Sequence, residues 1–280
     1  MVFGDFDKKY TDKENAKIVI QPVPYDGTST WIKGASKGPG AILEASYNLE
    51  FYDIETDSEV FKQGIYTAGA IKENGRPETM VGAVYDQTSY WLNLNKFVVT
   101  LGGEHSVSIG AIKAFAEKYK NLTVLQLDAH ADLRWEYNGS TFNHACVMSR
   151  VGEFCPFVQV GIRSMDVEEK GFITENKIFY AKDIHDNDLW IKDVVSQLGS
   201  RVYITIDLDV FDTSIMPSTG TPEPGGLGWY LVLKLLKKVC LNKTLVGFDV
   251  VELCPNETNK SPDFLAAKLI YKLLSYKFHL

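Results

Sequence analysis

Three short runs of acidic and imidazole side chains each follow a stretch of apolar residues directly. They span Asp128–Asp132, Asp207–Asp209 and Gly102–Ser106. Alternate side chains of an extended segment project to the same side, so the spacing of two in the first two runs brings their polar groups together. With Glu104 set aside, the runs supply two imidazoles and four carboxylates: His105, His130, Asp128, Asp132, Asp207 and Asp209.

This set of groups predicts a site for two metal ions. Converging carboxylates repel one another and raise each other's pKa values, whereas two divalent cations balance four negative charges. An oxygen-rich set with two imidazoles and no thiolate favours Mn²⁺ over a structural zinc ion, although Mn²⁺ binds most weakly in the first row and other metals can replace it in vitro. The alternative for any single run is turn chemistry, because Asp caps helices and Gly marks loops. Three such runs together argue against that alternative.

The elements around these runs predict a parallel sheet. Apolar segments alternate with amphipathic stretches along the chain, and strands that are apolar on both faces and separated by helices are typical of a sheet covered on each side. We therefore expect one domain over residues 1–280, folded as a three-layer α/β/α sandwich with its site beyond the carboxyl ends of the strands. The predicted strands are Ala16–Gln21, Phe97–Leu101, Thr123–Leu127, Phe157–Val160, Lys177–Tyr180, Val202–Ile206 and Leu245–Val251. Predicted helices include Val107–Tyr119, Trp190–Leu198, Trp229–Val239 and Asp263–Tyr276.

Composition and charge exclude several classes of protein. The net charge of −7 argues against a nucleic-acid or anionic-membrane partner and suits a cationic substrate. The four cysteines form no C-x-x-C pair, which indicates reduced thiols in a cytoplasmic protein. No segment approaches the ~20 apolar residues needed to cross a bilayer, and the charged amino-terminal segment lacks the apolar stretch of a secretory signal.

Four segments of the sequence resemble the signatures of the ureohydrolases, a family that includes arginase, agmatinase, guanidinobutyrase and formimidoylglutamase. They are Pro24–Ser46, Gly102–Ser106, Leu127–Leu133 and Asp207–Gly226, in the family's order, and the resemblance runs from about Pro22 to Pro255. It implies the arginase-like fold, with a mostly parallel central sheet of about eight strands. It also implies a homotrimer or homohexamer that acts on a small cationic guanidino substrate.

The resemblance also implies how the six side chains share two Mn²⁺ ions per subunit. In the family pattern the first ion is held by His105 and Asp132, the second by His130 and Asp209, and both are bridged by Asp128 and Asp207. Glu104 departs from the pattern, because Asp is frequent before the ligand histidine. We expect Glu104 to orient His105 from behind the site.

A guanidinium carbon is a poor electrophile, so its hydrolysis needs a strong nucleophile. Water that bridges two cations ionises far more readily than bulk water, whose pKa is ~15.7, and Asp209 is expected to accept its hydrogen bond. The family pattern assigns His144 as the general acid for the departing nitrogen and Glu252 as the carboxylate that holds the guanidinium. The alternatives are a helix-start role for His144 and a capping or surface role for Glu252. His185 and His279 remain unassigned.

The residues after the first run indicate the substrate. Arginase-like members follow the last aspartate of that run with x-Asn, whereas this chain has Leu133 and Arg134. The segments Arg134–Tyr137 and Ser140–His144 look like agmatinase members, so we expect agmatine to be hydrolysed to putrescine and urea. Arg134 could equally bind an anionic group, and 4-guanidinobutyrate is therefore an alternative substrate.

Other functions compete with this expectation. Within the family, arginase and formimidoylglutamase activities remain alternatives. Outside it, a deacetylase-type amidohydrolase would keep one zinc ion, and a non-catalytic homologue usually loses ligands. The complete set of six ligands argues against both.

Overall fold

The computed structural model of the chain describes residues 1–73 and 75–280. Within them, eight strands form one sheet in which every pair of neighbours is parallel, in the order β2-β1-β3-β8-β7-β4-β5-β6. The strands are β1 (Ile18–Val23), β2 (Ile65–Thr67), β3 (Phe97–Gly102), β4 (Leu122–Leu127), β5 (Phe157–Ile162), β6 (Ile178–Tyr180), β7 (Arg201–Asp207) and β8 (Thr244–Val251). The predicted fold class is confirmed.

The strands form where apolar residues are buried on both faces. Six-residue stretches such as β1, β3 and β4 are buried throughout, which is why the alternation of a half-exposed strand is missing from their sequences. β1 continues two residues beyond the predicted Gln21, through Pro22 to Val23. Pro22 has no N–H, but its carbonyl accepts a hydrogen bond from the backbone N–H of Ile71 at 3.0 Å. The edge strand β2 was not predicted, because three residues carry too little pattern.

Helices cover both faces of the sheet. α2, α3 and α4 pack on one face, in one apolar cluster, and α1, α6, α7 and α8 pack on the other. The helices are α1 (Gly38–Ser46), α2 (Pro77–Asn93), α3 (Val107–Lys118), α4 (Val147–Val151), α5 (Ala181–Ile184), α6 (Trp190–Gln197), α7 (Trp229–Asn242) and α8 (Ser261–His279). In the described part of the chain, none of these helices is long and apolar enough to cross a membrane.

The order of the strands decides where the polar runs meet. β3, β8, β7 and β4 are adjacent at the centre of the sheet, and parallel pairing puts their carboxyl ends at one edge. The runs at Gly102–Ser106, Asp128–Asp132 and Asp207–Asp209 begin at the ends of β3, β4 and β7. Three segments that are far apart in the chain therefore converge at one edge of the sheet.

A buried ion-pair cluster ties α8 to the loop after α1. The ammonium of Lys272 lies 2.9 Å from Asp53 and 2.7 Å from Glu55, and Asp53 is also buried. Glu55 accepts further hydrogen bonds from Lys237 at 2.7 Å and Tyr276 at 2.6 Å. Burial acts to raise the pKa of Glu55, but these partners outweigh it and lower the pKa to about 2. The cluster stabilises the packing of α8 only while the carboxylates are ionised.

We predict that Lys272→Met destabilises the fold by about 3 kcal/mol near neutral pH, because it leaves the buried carboxylate of Asp53 without its cation, whereas the more exposed Glu55 keeps Lys237. Urea unfolding measures this loss, and Lys238→Met, at an exposed lysine of α7, serves as the control. The folded pKa of Glu55 lies below its ordinary value of 4.5, so its contribution is complete above about pH 4.5 and is lost as the pH falls towards 2. Equal stability of the two variants at neutral pH would contradict the role given to the cluster.

Candidate metal centre

The six predicted ligands converge at the carboxyl edge of the sheet. The Nδ1 atom of His105 lies 3.1 Å from Asp128, 3.0 Å from Asp132 and 3.5 Å from Asp207, measured to carboxylate oxygens. The Nδ1 atom of His130 lies 2.8 Å from Asp209 and 3.7 Å from Asp128. The structure thus brings both imidazoles and all four carboxylates into one cluster.

Two overlapping groups within the cluster have the geometry of metal sites. In each group the potential ligand atoms lie within 4.8 Å of one another. The groups are His105, Asp128 and Asp132, and Asp128, His130 and Asp209. Because Asp128 belongs to both, its two oxygens are placed to reach two neighbouring ions. Asp207 lies beside the first group, next to His105.

Hydrogen bonds from the local backbone orient these carboxylates. Oδ1 of Asp128 accepts the backbone N–H of His130 at 2.6 Å, and Oδ1 of Asp207 accepts that of Asp209 at 2.9 Å. Asp132 has a φ of 53°, a left-handed conformation that is uncommon for residues other than glycine and clusters at functional sites. Gly103 is required beside them, since a Cβ there would lie 1.9 Å from the carbonyl oxygen of Tyr25.

Burial of so many charged groups perturbs their protonation. Burial, and then the charge of Asp128, raises the pKa of Asp132 to about 7. Burial raises the pKa of Asp207 far above its usual range, and the negative charges of Asp209 and Asp128 add to this effect. Burial acts to lower the pKa of His130, yet Asp209 and Asp128 raise it to about 12. Without metal ions, then, protons must compensate for the crowded negative charge.

The surroundings of one buried nitrogen atom indicate whether metal ions fit the cluster. The Nδ1 atom of His105 has no partner in hydrogen-bond geometry within the described residues, although three carboxylate oxygens lie within 3.5 Å. A nitrogen lone pair that faces carboxylate oxygens and has no hydrogen-bond partner is the arrangement expected where a cation binds between these atoms. Metal ions would displace the protons that otherwise neutralise the site. The oxygen-rich donor set with two imidazoles fits Mn²⁺.

His144 and Glu252 flank the cluster in a cavity of about 250 Å³, at the small end of ligand-binding pockets. Glu252 has a φ of 66°, and its Oε1 accepts the backbone N–H of His105 at 2.8 Å. Burial, and then the charge of Glu104, raises the pKa of Glu252 well above its usual range. A larger surface groove beside α7 and α8 shares no lining residue with this cavity. The structure therefore places His144 and Glu252 beside the candidate ligands, among which is Asp209, the third predicted catalytic residue.

Thr28 connects Glu104 to His144. The Thr28 hydroxyl donates a hydrogen bond to Glu104 and lies 3.1 Å from Nδ1 of His144. The single hydroxyl proton of Thr28 is donated to Glu104, so Thr28 can only accept a hydrogen bond from the His144 ring. The ring proton of His144 is therefore on Nδ1, and Nε2 is unprotonated. Our expectation that Glu104 orients His105 is not what the structure shows, since the His105 ring contacts Thr205 instead. Burial, and then the charges of His130 and His105, lowers the pKa of His144 to about 4.

Sequence reasoning missed three polar residues near the site: Thr28, Thr205 and Asp249. The signal for Thr205 and Asp249 is a polar residue inside an otherwise apolar strand, because both lie fully buried in β7 and β8. Thr28 lies in a segment quoted for the family resemblance, but nothing in its spacing marks a contact with His144. His185 pairs with Asp186 at the surface, and His279 ends α8, so neither joins the site.

Comparisons with known proteins agree with this geometry. The chain is 39% identical to an N(1)-aminopropylagmatine ureohydrolase of Synechocystis sp. over 277 residues, which cover 95% of this chain and 90% of that relative. It is 34% identical to an agmatinase of Pyrococcus horikoshii, covering 96% and 95%. The solved structure of an agmatine ureohydrolase from Thermoplasma volcanium superposes with a TM-score of 0.86 at 32% identity, covering 94% of this chain and 90% of that one.

Fold, site and relatives together define a hydrolase that acts on amidines, of the agmatinase and aminopropylagmatine ureohydrolase type. The chain belongs to the Arginase family, whose model matches residues 16–275. The resemblance seen in the four sequence segments is thereby confirmed. The relatives do not assign metal ligands in this chain, so those roles rest on its own geometry.

We predict that Asp128→Asn loses bound manganese and activity together, because Asp128 is the carboxylate common to both ligand groups. Activity should fall by more than about 100-fold, beyond the usual effect of an outer-shell change. Elemental analysis after Mn²⁺ loading and a urea-release assay measure the two losses. Asp263→Asn, at a buried aspartate of α8, is the matched control. Retained manganese with near-normal turnover would rule out the bridging role of Asp128.

Proposed function

We propose that the protein is a binuclear manganese hydrolase that releases urea from agmatine, leaving putrescine. The observation that carries this proposal is the pair of ligand groups that share Asp128 beside a cavity holding Glu252 and His144. The cavity unites metal ligands, a carboxylate for a planar cation and a proton carrier. Guanidine hydrolysis needs these three elements together.

The metal ions, when bound, would supply a nucleophile by lowering the pKa of a shared water molecule and would stabilise developing negative charge. Asp209 would accept a hydrogen bond from that water, and its other contacts hold its carboxylate in place. Oδ1 of Asp209 accepts the backbone N–H of Ala129 at 2.9 Å, and Oδ2 lies 2.8 Å from His130. Glu252 orients the guanidinium, since a carboxylate receives two parallel N–H donors from a planar cation.

His144 transfers the proton that the departing nitrogen requires. Its lowered pKa makes the imidazole neutral at pH 7, so His144 relays a proton released during the reaction and does not carry a resident one. Thr28 keeps the ring proton on Nδ1, which leaves Nε2 to receive the transferred proton. His144 is about one-fifth exposed in the cavity, so a substrate can reach it.

The cavity rim favours a substrate with an amine tail over one with a carboxylate. The guanidinium of Arg134 lies 2.9 Å from Asp166 and 4.8 Å from the centre of the Tyr137 ring. Because Asp166 already neutralises it, Arg134 offers a weak anchor for an anionic group. This pairing supports agmatine over 4-guanidinobutyrate and arginine.

N(1)-aminopropylagmatine is the second candidate substrate. Relatives from Synechocystis sp. and Thermus thermophilus that carry this activity in their names are 39% and 38% identical to the chain, against 34% for the agmatinase of Pyrococcus horikoshii. This substrate keeps the guanidino head of agmatine and adds a further amine.

The family resemblance also supports the proposed working form of the protein. We propose a homotrimer or homohexamer in the cytoplasm, with residues 1–280 acting as one domain. Each subunit would hold its own pair of Mn²⁺ ions.

We predict that the manganese-loaded protein hydrolyses agmatine or N(1)-aminopropylagmatine with at least about tenfold higher kcat/KM than 4-guanidinobutyrate or arginine, a preference of about 1.4 kcal/mol. Urea release from the four substrates at equal concentration measures this. Asp166→Asn should shrink the preference by about tenfold, because it frees the Arg134 cation while Asn still caps the following turn.

Two outcomes would contradict the proposal. If the manganese-bound protein releases urea from none of the four substrates, the assigned reaction is wrong. A preference for the anionic substrates would show that Arg134 acts as an anion holder in spite of its pairing with Asp166.

A further inference from the structure

A chain of buried hydrogen bonds runs from the candidate ligand His105 into the core of the sheet. Nε2 of His105 lies 2.9 Å from the hydroxyl of Thr205 in β7. That hydroxyl donates to Oδ1 of Asp249 in β8 at 2.6 Å. The other oxygen of Asp249 accepts a hydrogen bond from the phenol of Tyr203 at 2.7 Å. All four side chains are at most 1% exposed.

The direction of these hydrogen bonds fixes the proton on the imidazole. A threonine hydroxyl has one proton, and Thr205 gives it to Asp249, so Thr205 accepts from the ring. Nε2 of His105 is therefore the protonated nitrogen. In the neutral ring, Nδ1, which faces the three carboxylates without a hydrogen-bond partner of its own in the described residues, then carries the lone pair. A metal ligand needs this tautomer and this orientation.

The second imidazole of the cluster is held differently. Both imidazoles line the cavity, but the side chain of His130 is 26% exposed, whereas that of His105 is 1% exposed. The backbone N–H of His130 donates to Asp128, and its ring Nδ1 lies 2.8 Å from Asp209. The Thr205 and Asp249 chain therefore acts on one of the two ligand groups only.

We propose that Asp249 is a positioning residue for the metal site of His105, acting through Thr205 to fix the ring tautomer and orientation. The inference rests on the proposed function, because it presumes that the cluster binds metal. Among the described residues, Asp249 hydrogen-bonds with Thr205 and Tyr203 and not with a candidate ligand. Its effect is on the affinity of the His105 group and leaves that of the His130 group unchanged.

The alternative is that Asp249 only satisfies buried hydroxyl groups of β7. A purely structural role would lower the free energy of unfolding and would weaken both metal groups alike or neither. The affinity of each of the two manganese ions, measured separately, distinguishes the roles. The measurement uses metal-free protein and Mn²⁺ alone, so it does not depend on the substrate.

The test is a two-site Mn²⁺ titration of the full chain by calorimetry, with chelator competition for the tighter ion. Thr205→Val should weaken one ion by about 10–100-fold and leave the other within about twofold, since loss of an outer-shell partner has effects of that size. Thr205→Ser keeps the hydroxyl and should restore the affinity. Thr123→Val is the matched control, because Thr123 is a buried threonine of β4 whose hydroxyl accepts only the backbone N–H of Gly199 at 3.1 Å.

Asp249→Asn and Tyr203→Phe complete the series. Asp249→Asn should produce the same one-ion loss, because an amide can donate to Thr205 and turn its hydroxyl proton towards His105. Tyr203→Phe removes a contact that does not lead to the ring and should leave both ions near the wild-type affinity. Wild-type affinity for both ions in Thr205→Val, or equal weakening of both, would overturn the proposal. Urea release by the wild type reports separately on the proposed function.

Discussion

Mutual repulsion among buried carboxylates is the constraint on which the site depends. Asp128, Asp132, Asp207 and Asp209 all lie within a few ångströms of two imidazoles at one edge of the sheet, and all are at least 94% buried. In the absence of cations, burial and repulsion raise the pKa values of Asp132 and Asp207, and the neighbouring carboxylates raise the pKa values of both histidines. Two divalent ions, when bound, would replace those protons and turn the repulsion into ligation. The same charge then becomes available to activate water.

The parallel sheet supplies the rigidity that this crowding requires. The ligands stand at the ends of central strands, which are buried on both faces and hydrogen-bonded on both sides, so they cannot move apart to relieve their repulsion. The left-handed conformations at Asp132 and Glu252 are local backbone strain at this edge of the sheet. The hydroxyl groups of the half-buried Thr28 and the buried Thr205 then fix the rings that must act in one tautomer.

Sequence alone predicted the sheet and the six candidate ligands, because both follow from short patterns. Strands that are buried on two faces have continuously apolar sequences, so polar residues at the ends of these strands are easy to recognise. The exact bounds of β1 and the short β2 depended on tertiary hydrogen bonds that leave no local pattern. Thr205 and Asp249 could have been found as polar residues in apolar strands, but their partner His105 lies about 100 and 144 positions away in the chain. The role of Glu104 was misassigned because neighbours in sequence need not touch in the fold.

The most direct test of the two-ion centre is low-temperature electron paramagnetic resonance of the protein during Mn²⁺ titration. Ligand groups that share Asp128 would hold the two ions close enough for their spins to couple. We predict that two ions bind per subunit and that the isolated-ion signal is replaced by a coupled multiline signal as the second ion enters. One ion per subunit, or two ions with uncoupled signals, would contradict a centre built around a shared carboxylate.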